Sequence, residues 1–197
     1  MKPLEVVEYK GYRIEIYLDE DPPNPRTEWD NFGHFVCFHG RYCLGDKHDM
    51  SLEDAEELEK SKDVISLPLY LYDHSGLTIR TYPFSCPWDS GKIGFVYVTK
   101  EEVRKEYSCK LVTKEIKEKV INLLRSEVEE YNNYLTGEVY GYRIVDDNEE
   151  ERDSCWGFFG NEWREMILSD CKQMIDYYVV EDLKEKVESH DLEINAA

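Results

Sequence analysis

An apolar stripe that begins after Thr113 constrains this chain more than any other feature. Ile116, Val120, Leu123, Leu124, Tyr131 and Tyr134 recur at helical spacing with charged residues between them, the pattern of a helix with one buried face. The spacing predicts a helix of about 22 residues, ~33 Å long, stopped by Gly137. A chain that carries such a helix must also supply an apolar surface as wide as a domain to cover it.

That surface is legible as short alternating segments. Val6 to Leu18 reads as a hairpin about Lys10-Gly11, with Ile14, Ile16 and Leu18 on one face. Further strands are expected in GHFVCFH, in LTIRTYPF after Gly76, in KIGFVYVT, in EVYGYRIVDD and in DSCWGFFG. Val64 to Tyr72 carries Pro68, which suits an edge or a bulge because proline donates nothing to a ladder. Ser51 caps a short acidic helix with Leu52, Ala55 and Leu58 on one side. A closing helix from about Glu162 to Glu188 has Trp163, Met166, Ile167, Met174, Ile175 and Tyr178 as its apolar side. Strands and helices without βαβ alternation predict an α+β fold: a mainly antiparallel sheet with one long and one C-terminal helix packed on one face. One domain over residues 1–197 is expected, a length that buries most of its unfolded surface.

Charge narrows the partners. Lys and Arg number 24 against 43 Asp and Glu, a net charge of -19. Such a field repels phosphate backbones and speeds encounter with cationic surfaces, so the chain is expected to bind a basic protein surface and not nucleic acid. Aromatic residues at 13% exclude a disordered acidic tail. The start MKPLEVVEYK has no apolar signal core and no run of apolar residues is long enough to span a bilayer. The reading is therefore a cytoplasmic protein that does not engage membranes, with six reduced cysteines.

Three constellations are candidates for function. The first is Asp73-His74-Ser75-Gly76 with Cys86-Pro87-Trp88-Asp89: Cys86 as nucleophile would need a base, and His74 is the nearest in sequence, with Asp89 beside them. Small cysteines beside Pro and Trp also serve simply as packing. The second gathers His34, Cys37, His39, Cys43 and His48 in fifteen residues; strand alternation puts Cys37 and His39 on one face, but structural zinc needs paired ligands twice over, and no metal or cofactor is assigned. The third is the acidity itself, in Asp19 to Asp21, in Glu53, Glu56 and Glu57, in Asp146, Asp147, Glu149, Glu150, Glu151 and Asp153, and in Glu181 to Glu193. Carboxylates held at fixed positions on a folded frame imitate the phosphates of a duplex, although a solvated face that recruits nothing has the same composition.

The strings DPPNPRTEWDNFGHFVCFHGRYCLGDKH, LYLYDHSGLTIRTYPFSCPWDSGKIGFVYV, EVRKEY with YLTGEVYGYRI, and DSCWGFFG resemble a family of small proteins from bacteriophages, prophages and conjugative elements. The resemblance covers about Lys10 to Gly160 and is carried most specifically by PFSCPWDSGxxGxxxV. It implies no catalytic residue. It implies a mobile-element context in a bacterial host, where small acidic proteins neutralise restriction or CRISPR defences. The leading expectation is thus a non-enzymatic acidic inhibitor of a defence or nucleic-acid-handling protein; the alternative is an enzyme or small-ligand binder organised around His74, Cys86, Trp88, Asp89 and Cys155.

Overall fold

The computed structural model describes residues 2–160 and 162–196 of the chain, with side chains described up to Lys184 and at Val187. It is an α+β protein whose strands form two antiparallel four-stranded sheets. Where the sequence suggests one domain, the chain groups into two compact units, Met1–Pro22 with Gly137–Ala197, and Pro23–Thr136. The two helices expected on one sheet are shared out, one to each unit. Among the described residues no helix is long and apolar enough to cross a membrane.

The first unit is built from both ends of the chain. Strands β1 (Glu5–Tyr9) and β2 (Tyr12–Leu18) form the expected hairpin, turning through Lys10 at φ 50° and Gly11 at φ 83°, the pair of positive φ angles that matches strand twist. Strand β2 then pairs with β7 (Val139–Val145), and β7 with β8 (Glu151–Phe159), giving the order β1-β2-β7-β8. Helix α5 (Trp163–Ala196) covers this sheet, burying Ile167, Cys171 and Ile175 against Ile14, Ile16 and Ile144. Two residues assigned to the interior are exposed: Leu18, at the end of β2, and Met166, on the far side of α5.

In the second unit the order is β3-β6-β4-β5, from β3 (His34–Cys37), β4 (Val64–Asp73), β5 (Leu77–Arg80) and β6 (Ser90–Thr99). Helix α4 (Lys114–Thr136) is the long helix foreseen, and it buries Val120, Leu124, Val128 and Tyr131 on one face of this sheet. Gly137, at φ 74°, follows its last turn. The opposite face is covered at Val36 and Phe95 by Ala55 of α2 (Leu52–Lys60), which explains why β6 is apolar almost without alternation. Leu52, the first residue of α2, is exposed and does not join that core. Pro68 sits where β4 has β6 alone as neighbour, because β5 pairs only with Tyr70 to Asp73, and the register shifts just beyond it between Leu69 and Tyr70. Helix α3 (Lys100–Glu106), which the sequence reading passed over, opens on a reciprocal capping box between Thr99 and Glu102.

The segment DPPNPRTEWDNFGHF is an internal electrostatic clasp. Asn24 caps the single turn α1 (Pro25–Glu28) and Pro25 occupies its first position. The turn aims Arg26 inward, leaving its side chain 2% exposed. Arg26 donates from Nε and Nη2 to both oxygens of Asp46 at 2.8 Å and from Nη2 to the Gly33 carbonyl at 2.7 Å, while its guanidinium lies 3.9 Å from the Phe35 ring centre. Glu127 of α4 completes the clasp by accepting from the Phe32 and Gly33 amides at 2.8 and 3.0 Å.

Candidate functional site

The acidic run between β7 and β8 is largely neutralised from within. Asp146 is buried; its Oδ1 accepts from the amides of Asn148 and Glu150 at 2.8 and 3.0 Å, so it builds the turn and is unavailable to a partner. Glu149, at φ 65°, receives both terminal nitrogens of Arg13 at 2.8 and 2.6 Å, and that guanidinium holds its carboxyl below the ordinary range. Glu151 is likewise held down, by the Ser154 hydroxyl at 2.8 Å and by Arg143 at 2.5 Å. Asp153 is half-buried and accepts from the Ser154 amide. The assignment of Asp146 to a partner surface is therefore corrected, and Glu149 and Glu151 are already engaged. Asp147 and Glu150 stay exposed with no ion pair among the described residues.

On α2 the Ser51 hydroxyl caps the Asp54 amide at 3.1 Å, fixing the helix start. Glu56 is paired to Lys60 at 3.1 Å, whereas Glu53 and Glu57 are exposed, one helical turn apart, with no cation partner among the described residues. Most of the stretch Glu181 to Glu193 lies outside the described side chains. Within it, Asp182 joins Tyr12 and Arg152, and Glu181 pairs with Lys184 at 2.9 Å.

The His74 and Cys86 turns do come together, in an order that changes their chemistry. The Asp73 amide donates to the Asp89 carbonyl at 2.8 Å, and Asp89 Oδ2 stands 3.3 Å from His74 Nδ1 and 3.8 Å from Cys86 Sγ. The carboxylate lies beside both groups, and among the described residues no hydrogen bond joins Cys86 to His74. A thiol whose neighbour is a carboxylate has no acceptor set up for it by a histidine and no cation to favour the thiolate. Tyr72 stacks on His74 and on Phe84 with ring centres 5.8 and 5.4 Å apart, and Arg80 lies 3.6 Å from Phe84 and 4.1 Å from Tyr82. This ladder fixes the two turns. Trp88 projects from them 91% exposed above a cleft of about 390 Å³ bounded by Arg41, Asp73, Asp89 and Lys92. Cys155, grouped with these turns in the sequence reading, belongs to β8 of the other unit and is exposed.

The histidines and cysteines of residues 34–48 are dispersed. His34 meets Glu102 at 2.8 Å, His39 accepts from the amides of Arg41 and Tyr42, and His48 Nε2 donates to the Cys37 carbonyl at 3.1 Å. Burial pushes the Cys37 thiol up to about 12, with the Asp46 carboxylate adding to the shift, and Cys43 is exposed. Among the described residues no three His, Cys, Asp or Glu side chains are arranged to hold a metal.

Sequence reasoning missed the cations that answer the acidic run. Arg13 on β2 and Arg143 on β7 are brought to Glu149 and Glu151 by the β2–β7–β8 pairing, whereas Arg152 lies within the run itself and meets Asp146 and Asp182. No family model, no curated protein and no solved structure matches this chain.

Proposed function

We propose that this chain is a non-enzymatic binding protein that lays its exposed carboxylates against a basic, nucleic-acid-handling surface of another protein, as a DNA mimic. In keeping with the resemblance to mobile-element proteins, the partner is a defence protein in the cytoplasm of a bacterial host. One observation carries the reading: after the internal ion pairs are discounted, each unit keeps exposed carboxylates with no cation partner among the described residues, Glu53 and Glu57 on the capped helix of one and Asp147 and Glu150 on the hydrogen-bonded turn of the other, within a chain of net charge -19. Carboxylates on rigid elements lose little freedom on binding, and the summed field draws in a cationic surface.

The test is capture of partners by the full chain from a nuclease-treated bacterial extract, followed by affinity measurement. Binding should fall steeply as salt shortens the Debye length from about 10 Å to about 3 Å. Replacing Glu53, Glu57, Asp147 and Glu150 together by their amides should lower affinity at least about fourfold, from ~0.2 kcal/mol for each exposed pair. A partner held equally well at high salt, or by the four-fold amide variant, would overturn the proposal.

A further inference from the structure

Helix α5 is apolar on two opposite sides. Ile167, Cys171 and Ile175 are fully buried against the β1-β2-β7-β8 sheet and Tyr178 packs with them. At about 100° per residue, Tyr177, Val180, Leu183 and Val187 fall on the other side of the helix, and they are 50% to 61% exposed. Val180, Leu183 and Val187 line a shallow apolar depression of about 370 Å³ with the stem of Lys184. Met166, also half-exposed, continues the stripe toward the helix start. A surface helix with one partner needs one apolar stripe; this one has a second.

We infer that the second stripe is a self-association seam, on which α5 of one copy packs against α5 of another. The spacing supports it: Val180, Leu183 and Val187 follow the three-then-four step of a heptad seam, and Met166 stands two heptads before Val180, with the polar Ser169, Gln173 and Asp176 at the seam positions between. A β-branched residue at the first seam position and Leu at the second is the combination that favours two strands. The area supports it as well. Five half-exposed large side chains present on the order of 500 Å² per copy, so a pair removes about 1,000 Å² from water, the lower bound for a specific interface.

Of the acids beside the stripe, Asp176 is paired with Lys10 at 2.7 Å and Glu181 with Lys184 at 2.9 Å. The seam shares no residue with Glu53, Glu57, Asp147 or Glu150, and the two proposals stand or fall separately. They also have opposite salt dependence. Two chains of net charge -19 repel until salt screens them, so the self-associated form strengthens with salt while a complex with a basic partner weakens.

Sedimentation velocity on the full chain, over a range of concentrations at low and high salt, tests the seam. The expected result is a species of twice the 23.4 kDa chain mass that gains population with concentration and with salt. Val180→Glu with Val187→Glu should raise the dissociation constant at least about tenfold, with an unchanged far-UV spectrum because both side chains are exposed. Glu53→Gln should leave association as it is. A chain that stays monomeric under all conditions, a double variant that associates like the parent, or a mass increase that appears only on adding a cationic amphipathic peptide each overturns the inference.

Discussion

Replacing Arg26 by Ala should destabilise the Pro23–Thr136 unit more than any change at the exposed acids. The side chain is 2% exposed, and its removal strands the Asp46 carboxylate and Glu127, the latter 10% exposed. Breaking a buried ion pair by deleting one partner costs about 3–5 kcal/mol, because the remaining charge has lost both water and counter-charge. Loss of the guanidinium from the Phe35 face removes roughly another 0.5–1 kcal/mol, not strictly additive. For a unit of this size the total corresponds to a fall in melting temperature on the order of 10–20 °C. Thermal unfolding of the full chain measures the drop, and hydrogen exchange locates it: the Gly33 and Phe35 amides, which donate to Glu127 and Asp46, should lose protection while those of the β2–β7 ladder keep it. Arg26→Lys should fall between, since an ammonium keeps the charge but has no planar fork for Asp46 and the Gly33 carbonyl together. A loss of under about 1 kcal/mol, the range of exposed pairs, would refute the clasp, and so would a lysine variant no better than alanine.

Three further outcomes follow. Gly94→Ala should prevent the second sheet from forming, because a Cβ there would be driven into the Val36 carbonyl oxygen across the β3–β6 ladder; loss of far-UV signal and protease resistance reports it. In timed alkylation read by mass spectrometry, the exposed Cys43 and Cys155 should react first, and Cys37 and Cys171, which burial pushes up to about 12, only on unfolding. Cys86, beside the Asp89 carboxylate, should react no faster than Cys43, and a rate well above it would restore the thiol-and-base reading. Glu102 is partly desolvated, which raises its pKa, but hydrogen bonds from Thr99 and His34 outweigh this and hold it below its ordinary 4.5. A depressed carboxyl contributes stability above its unfolded value and loses it as pH falls through the folded one, so Glu102→Gln should flatten the acid limb of urea-midpoint measurements made below about pH 5.

Local signals in the sequence gave local structure faithfully. The Lys10-Gly11 turn, the stripe from Ile116 to Tyr134, the stop at Gly137 and the awkward place of Pro68 all follow from spacing or backbone chemistry within a few residues. What escaped depends on contacts between distant positions. Strand pairing that links Arg13 to Val145 leaves no mark in either segment alone, so neither the division into two sheets nor the approach of Arg13 and Arg143 to the acidic turn could be read. Arg26 stood in a run of prolines and acids with the look of a surface loop, and only the fold shows Asp46 and Glu127 converging on it. The Thr99–Glu102 capping box was present in the sequence, but it follows directly on the apolar strand KIGFVYVT and was absorbed into it. In the candidate site, the nearness of His74, Cys86 and Asp89 was legible and their order was not, since one turn's geometry decides which group takes the middle.

The chain leaves the first sheet at Leu18 and returns at Val139, with the Asp19 amide donating to the Val139 carbonyl at 2.8 Å where the two strands adjoin. Everything from Pro23 to Thr136 is in effect a graft into the connection between two neighbouring strands. On the ribosome, that middle portion is complete before β7 exists, so it can collapse while β1 and β2 wait as a bare hairpin, which is marginal alone in water. The late arrival of β7, β8 and α5 then rescues an N-terminus made more than a hundred residues earlier. A truncation that removes α5 should therefore release the first residues of the protein as surely as its last.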